Sequence, residues 1–220
     1  MNFEQYYSTT PYRQILWNRL GDREILDVFH RLRVPRNLSI LSLGCGTGQK
    51  DLACVKAGYR IFGTDISPTA IATAKLLARK SGLPPQFGIM DSTRIRLGVL
   101  PRAWRQPNMV VDWQSLHNMP KILHRGYRRT IECLRPRWIL VRTFSATDQE
   151  CRRTGRRTLG STISGIRRHF FSLEDLQKIY RAYVPVSVWE DPGYYHKRFL
   201  DGRATTKLTV LFLRRDQIFG

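Results

Sequence analysis

The segment Leu41 to Asp65, LSLGCGTGQKDLACVKAGYRIFGTD, constrains this chain more than any other. A short apolar run leads into three glycines at alternate positions, Gly44, Gly46 and Gly48. A helical stretch follows and stops at Gly58, a residue suited to the left-handed turn that ends helices. A second apolar run then closes on Asp65. A strand, a tight glycine turn, a helix and a second strand make a crossover unit. Such a unit buries its apolar faces only as part of a larger layered sheet.

The rest of the chain continues that alternation. Ser67-Pro68 opens a helix, with serine as cap and proline in the first turn, running through TAIATAKLLARK to Ser81-Gly82. PQFGIMD and NMVVD read as the third and fourth strands, KILHRGYRRTIECLR as a basic amphipathic helix and RWILVRTF as the fifth strand. In FSLEDLQKIYRAY, Ser172 and Asp175 have capping-box spacing, and Phe171 can staple to Leu176. VPVSVWE and KLTVLFLRR have no helix between them and can pair as an antiparallel hairpin. The expected architecture is a doubly wound α/β fold, Rossmann-like, with a seven-stranded, mostly parallel sheet and an antiparallel C-terminal hairpin strand.

Length fits one domain over residues 1–220. Within it, residues 1–37 form an N-terminal helical lid, 38–145 the core, 146–170 a basic insertion, and 171–220 the last helix and the hairpin. No apolar run reaches the roughly 18 residues of a membrane-spanning helix. The N-terminus lacks the apolar centre of a secretory signal. Cys45, Cys54, Cys133 and Cys151 show no metal-ligand or disulfide-framework spacing. These features suggest a cytoplasmic protein with reduced thiols, no resident metal and no membrane contact.

Charge is the unusual global property. The net charge is +20, and arginines outnumber lysines 29 to 8. Such a surface allows contact with nucleic acid phosphates. Arginines scattered over solvated faces account for it equally well.

In a doubly wound sheet, ligands sit beyond the carboxyl ends of the strands where strand order switches. The turn at Gly44, Gly46 and Gly48 is placed there, and its spacing is GxGxG, because Gln49 occupies the last position of a GxGxxG fingerprint. Asp65, 21 residues after Gly44, can accept hydrogen bonds from ribose hydroxyls. Together they indicate a nucleotide site.

At this point the chain resembles the class I S-adenosylmethionine-dependent methyltransferases, of the small-molecule type. The resemblance is carried by LSLGCGTG, GTDISPTAIATAK, IMDSTRI, MVVDWQSLHNM and LRPRWILVRTFS, and it spans roughly Leu38 to Ser145. It implies S-adenosylmethionine as cofactor. Gly44, Cys45, Gly46 and Gly48 would pass under its methionine and ribose portions, Asp65 would bind the ribose, and Ile66 would lie against the adenine. Asp91 would face the adenine amino group with Ser92 beside it, and Asp112 would lie near the methionine amino group and the reacting methyl. Two positions depart from the superfamily pattern. Ser42 stands where an acidic residue is common, which implies either weaker cofactor affinity or a larger share of the charge carried by Asp112. Pro136-Arg137-Trp138 replaces Pro-Gly-Gly.

Acceptor candidates follow from placement. Trp113 and His117 leave the fourth strand, with His117 as a general base, or alternatively as a helix-start histidine satisfied by backbone. Tyr6, Tyr7 and Trp17 could lie over the cofactor, or pack in the core. Arg142 could meet an anionic acceptor, or pair with a structural carboxylate. The segment Cys151 to Phe170 holds six arginines and reads as a solvated loop or as an acceptor element. Asp112-Trp113-Gln114-Ser115 lacks the proline-rich clamp of base-amino methyltransferases, and no Pro-Cys nucleophile is present. The reading is methyl transfer to a small-molecule acceptor. An RNA methyltransferase and a non-catalytic S-adenosylmethionine- or RNA-binding protein of the same fold are the alternatives.

Overall fold

A computed structural model describes residues 2–15, 18, 23–160, 167–192 and 205–218. Two N-terminal helices, α1 (Phe3–Thr9) and α2 (Arg23–Arg31), precede β1 (Ser39–Leu43). There follow α3 (Gln49–Lys56), β2 (Arg60–Asp65), α4 (Pro68–Lys80), β3 (Phe87–Ile89), β4 (Met109–Trp113), α5 (His124–Leu134) and β5 (Trp138–Ser145). Then come α6 (Gln149–Thr154), β6 (Thr158–Gly160), β7 (Arg167–Phe171), α7 (Leu173–Ile179), β8 (Tyr183–Pro192) and β9 (Thr206–Arg214).

The main sheet runs β3-β2-β1-β4-β5, all parallel, and is extended by β9, antiparallel to β5, and then by β8, antiparallel to β9. These seven strands are the expected fold. Strand order reverses between β1 and β4, so the loops after these two strands meet at the switch point. The basic segment adds something the sequence did not suggest. Most of its described part is not a loop but α6 and the β6–β7 ribbon, and β7 joins the end of β5 at Phe144 and Ser145. Residues 161–166 of that segment lie outside the described residues.

Start and stop signals act as read. Ser67 Oγ accepts from the Ala70 amide and Pro68 opens α4. The Ser172–Asp175 capping box opens α7. Gly58 and Gly82 take left-handed backbone just past α3 and α4.

Side chains alternate strictly between the two faces of the sheet. Leu41 and Leu43 of β1, Phe62 of β2, Val110 of β4 and Val141 of β5 pack with Tyr127, Ile131, Leu176 and Tyr180 on the α5–α7 side. Ile40, Ile61, Val111 and Leu140 pack with Ile25, Phe29 and Cys54 on the α2–α3 side. Parity therefore decides where every polar residue near a strand end points. Among the described residues, no helix is long and apolar enough to cross a membrane.

Candidate active site

The loops after β1 and β4 nearly touch. Gly44 has φ +69°, and a Cβ there would lie 2.2 Å from Ser115 Oγ, so only glycine lets the second loop cross this closely. Gln114 adopts φ +68° on the other side of the crossing, a strained conformation for a side-chain-bearing residue. A cavity of about 300 Å³ opens over this crossing. Its walls come from the glycine loop, the ends of β2 and β3, the exit of β4 and helix α1.

Most of the expected cofactor residues line it: Gly44, Cys45, Gly46, Asp65, Ile66, Asp91 and Ser92. Asp65 accepts hydrogen bonds from the Gly46 amide at 2.8 Å and the Ser67 amide at 2.9 Å, which ties the glycine loop to the start of α4. Burial raises its pKa, and those amides oppose the rise. Ile66 is 57 % exposed, an apolar face left open at the rim. Asp91 fixes its own loop by accepting from the Thr93 amide and hydroxyl.

Two expected cofactor residues stand elsewhere. Gly48 does not line the cavity. Its left-handed backbone sits at the N-cap of α3, and a Cβ there would lie 2.6 Å from the Phe87 ring, so it serves helix packing. Asp112 is fully buried on the α5–α7 side. It accepts from the Ser115 and Leu116 amides and, at 2.9 Å, from the Tyr127 hydroxyl, and it does not line the cavity either. The cause is parity: Val111 faces α3, so Asp112 faces α5. Burial raises Asp112 to a pKa of about 6, while its donors pull it down.

Asp51, which the sequence reading passed over, lines the cavity from the first turn of α3. Ser42 shares the parity of Ile40 and faces the same helix. Burial is the main cause that pushes Asp51 up to about 7, opposed first by a hydrogen bond from the Ser42 hydroxyl.

At the acceptor end, Trp113 lines the cavity, and its Nε1 donates to Glu24 Oε2 at 3.3 Å. His117 sits in a single 3-10 turn, Leu116–Asn118, edge-on to Phe144 at 4.5 Å between ring centroids. It is buried, and its Nδ1 has no hydrogen-bond partner among the described residues. Burial, then the charges of Lys207, Arg168 and His169, hold its pKa well below the ordinary histidine value. Phe144, Arg168 and Thr205 complete this wall, a contribution of the basic segment and of the approach to β9 that sequence order did not reveal. Arg142 pairs with structural carboxylates. Its guanidinium reaches Glu24 at 2.7 Å and Asp191 at 2.6 Å, and it is no part of the cavity.

The N-terminal segment closes the remaining side. Tyr6 and Tyr7 line the cavity and also pack with Ile15 and Ala70. Glu4 accepts from the hydroxyls of Ser67 and Thr69 at the start of α4. Asn18 accepts from the Thr47 hydroxyl at 2.7 Å in the glycine loop. Trp17 lies outside the described residues.

Residues 40–137 match the family model of a methyltransferase domain. Solved structures share the fold across nearly the whole chain. A SAM-dependent methyltransferase from Anabaena variabilis ATCC 29413 is 15 % identical at a TM-score of 0.74, with 97 % of this chain and 93 % of that one covered. Magnesium protoporphyrin IX methyltransferase from Synechocystis PCC 6803, with bound SAM, is 15 % identical at 0.62, covering 96 % and 89 %. A structure concerned with conversion of a disulfide bond into a thioacetal group during echinomycin biosynthesis is 20 % identical at 0.64, covering 87 % and 81 %. The matched family model spans a little under half of the chain, and the fold around it is shared with S-adenosylmethionine-dependent methyltransferases. The cavity fits S-adenosylmethionine, the molecule bound in the Synechocystis structure. A glycine cradle, the carboxylates of Asp65 and Asp91, an open apolar rim at Ile66 and a buried, partly unpartnered carboxylate at Asp51 suit a nucleoside that carries positive charge.

Proposed function

We propose that this chain methylates a small-molecule acceptor bound between Trp113, His117 and Phe144, under the cover of Tyr7. The observation that carries this reading is the enclosure of His117. It is 5 % exposed, walled by Phe144, and has its Nδ1 open to a partner. An acceptor must enter the cavity to reach it, which suits a compact molecule better than a nucleic acid surface. Among the described residues the arginines are mostly exposed, and Arg168 is the only one lining the cavity. Two of the structures sharing the fold concern magnesium protoporphyrin IX and echinomycin biosynthesis, which is in keeping with a small acceptor.

S-adenosylmethionine supplies an electrophilic methyl group on its sulfonium. The residues bearing on the reaction are those proposed to hold the cofactor, Gly44, Cys45, Gly46, Asp65, Ile66, Asp91 and Ser92, and those around the acceptor. Positioning of the acceptor by Trp113, Phe144 and Tyr7 provides much of the rate. His117 is neutral at pH 7, because its pKa lies well below the usual value, and its Nδ1 can take the proton that a hydroxyl or ammonium acceptor gives up.

Incubation with methyl-labelled S-adenosylmethionine and either a metabolite extract or total RNA tests the acceptor class. Label in the small-molecule fraction is expected, and label in RNA at physiological salt would overturn the reading in favour of an RNA methyltransferase. His117→Ala should lower turnover by about 10²–10⁴-fold with S-adenosylmethionine affinity nearly unchanged. A large loss of cofactor affinity or thermal stability would instead mark His117 as structural.

A further inference from the structure

We infer that Asp51 is the carboxylate that meets the cationic cofactor, supplied from α3 in place of the acidic residue the superfamily carries at the position of Ser42. The inference rests on the cofactor assignment above.

Three observations converge. First, Ser42 and Asp51 face one another across the contact between β1 and α3. Ser42 shares its face of β1 with Ile40, which packs with Cys54 of α3, and the Ser42 side chain hydrogen-bonds Asp51. A carboxylate on either side of that contact reaches the same space. Second, Asp51 lines the cavity at 4 % exposure, and its Oδ2 has no hydrogen-bond partner among the described residues. A buried carboxylate oxygen without a partner is costly and persists where something else meets it. Third, β2 makes room for it. A Cβ on Gly63 would lie 2.6 Å from Asp51 Oδ2, so the strand leaves the room that this oxygen occupies. Asp112, the other candidate for this charge, is turned into the opposite layer and holds three donors there.

The groups facing Asp51 set its response to pH. Lys50, on the same helix, favours its charge, whereas Asp65 at the end of β2 opposes it. The Cys45 thiol stays protonated beside both carboxylates, and Glu4 of α1 acts on Asp65. Near neutrality, burial leaves Asp51 partly protonated. A cation entering the cavity draws it to the carboxylate, and the proton passes to the buffer. Cofactor binding is therefore coupled to proton release at this one side chain.

Calorimetry of S-adenosylmethionine and S-adenosylhomocysteine binding, from pH 6 to 7 in buffers of different ionisation heat, reads this directly. The ligand's own amino group titrates near 8. It is mostly protonated at pH 7 and below, free or bound, so wild type and Asp51→Asn are compared from pH 6 to 7. Asp51→Asn should bind S-adenosylmethionine about ten- to hundredfold more weakly, the scale of a lost charged hydrogen bond, and should lose the extra proton release seen near pH 7. Ser42→Asp in that background should restore affinity at least in part. Loss for both ligands assigns Asp51 to the amino group they share, and loss for S-adenosylmethionine alone to the sulfonium.

Stability supplies a second readout. A carboxyl whose folded pKa is raised destabilises the folded state as pH climbs through its window, here from about 4 to about 7. Asp51→Asn without cofactor should therefore melt higher than wild type at pH 8, with the gap closing at pH 5. Wild-type affinity and proton count in Asp51→Asn would overturn the proposal, as would a lower melting temperature at pH 8. Failure of the wild-type protein to bind S-adenosylmethionine at all would refute the cofactor assignment beneath it.

Discussion

Arg142→Met should be among the most damaging single changes in this chain. Arg142 is 1 % exposed at the centre of β5. Its Nε and Nη2 both donate to Glu24 Oε1, at 3.0 and 2.7 Å. Nη1 and Nη2 donate to the two oxygens of Asp191, at 3.0 and 2.6 Å, and Nη1 also donates to Thr209. The guanidinium stands 5.4 Å from the Trp113 ring centroid. Removing it strands Glu24, 5 % exposed, with only the Trp113 Nε1 donor, at 3.3 Å, left to it among the described residues. Breaking a buried pair from one side costs about 3–5 kcal/mol. Asp191, whose side chain is 34 % exposed, can turn to water and adds little to that figure. The assay is urea unfolding followed by tryptophan fluorescence. Its decisive arm is the double variant Arg142→Met/Glu24→Leu, which removes the stranded charge and should recover most of the loss, a strong positive coupling between neighbours. A single variant within about 1 kcal/mol of wild type would refute the reasoning, as would a double variant as unstable as the sum of the two singles.

Tyr127→Phe removes the hydroxyl donor 2.9 Å from Asp112 Oδ2 and should cost about 1–3 kcal/mol. Burial already raises Asp112 to about 6, so wild-type stability falls as pH rises from about 4 to 6. Losing a donor to the charged form raises it further, and the urea midpoint of the variant should fall furthest below wild type above pH 6 and approach it at pH 5. Asp65→Ala should weaken S-adenosylmethionine binding by about ten- to hundredfold in calorimetry, since it removes a carboxylate from the cavity and frees the Gly46 amide; unchanged affinity would remove Asp65 from the site.

The parts of this molecule that local chemistry decides were readable in the residues. Ser67-Pro68, Gly58, Gly82 and the Ser172–Asp175 box set helix ends through short-range hydrogen bonds and backbone preference, and the structure uses each of them. The glycine turn and Asp65 follow from strand order, which alternation alone predicts. Asp112 carries a legible signal too, since strand alternation turns it away from the face that Val111 shares with α3. Asp51 carried a weaker signal, an acidic residue in the first turn of a helix, which ordinarily means only a favourable dipole contact. Its meaning required knowing that α3 lies against Ser42. Glu24 and Arg142 are 118 positions apart, and nothing in either neighbourhood announces the other. The ribbon of β6 and β7 was hidden by its arginines, which read as solvated surface while Phe170 and Phe171 beside them were closing the acceptor wall and the α5–α7 core.

Glu4 and Asn18 have a consequence of another kind. Neither belongs to the sheet, yet one holds the start of α4 just past Asp65 and the other holds Thr47 directly after the cavity glycines Gly44 and Gly46. The N-terminal segment thus adjusts the loops themselves as well as covering them. Affinity for the cofactor can be raised or lowered at Glu4 or Asn18 while every atom that would meet the cofactor's nucleoside from β1, β2 and β3 stays the same. Such a chain has a dial separate from its chemistry. Its ancestors could shift the dwell time of the spent cofactor, and so the pace of turnover, by changes that leave the acceptor pocket beside His117 untouched.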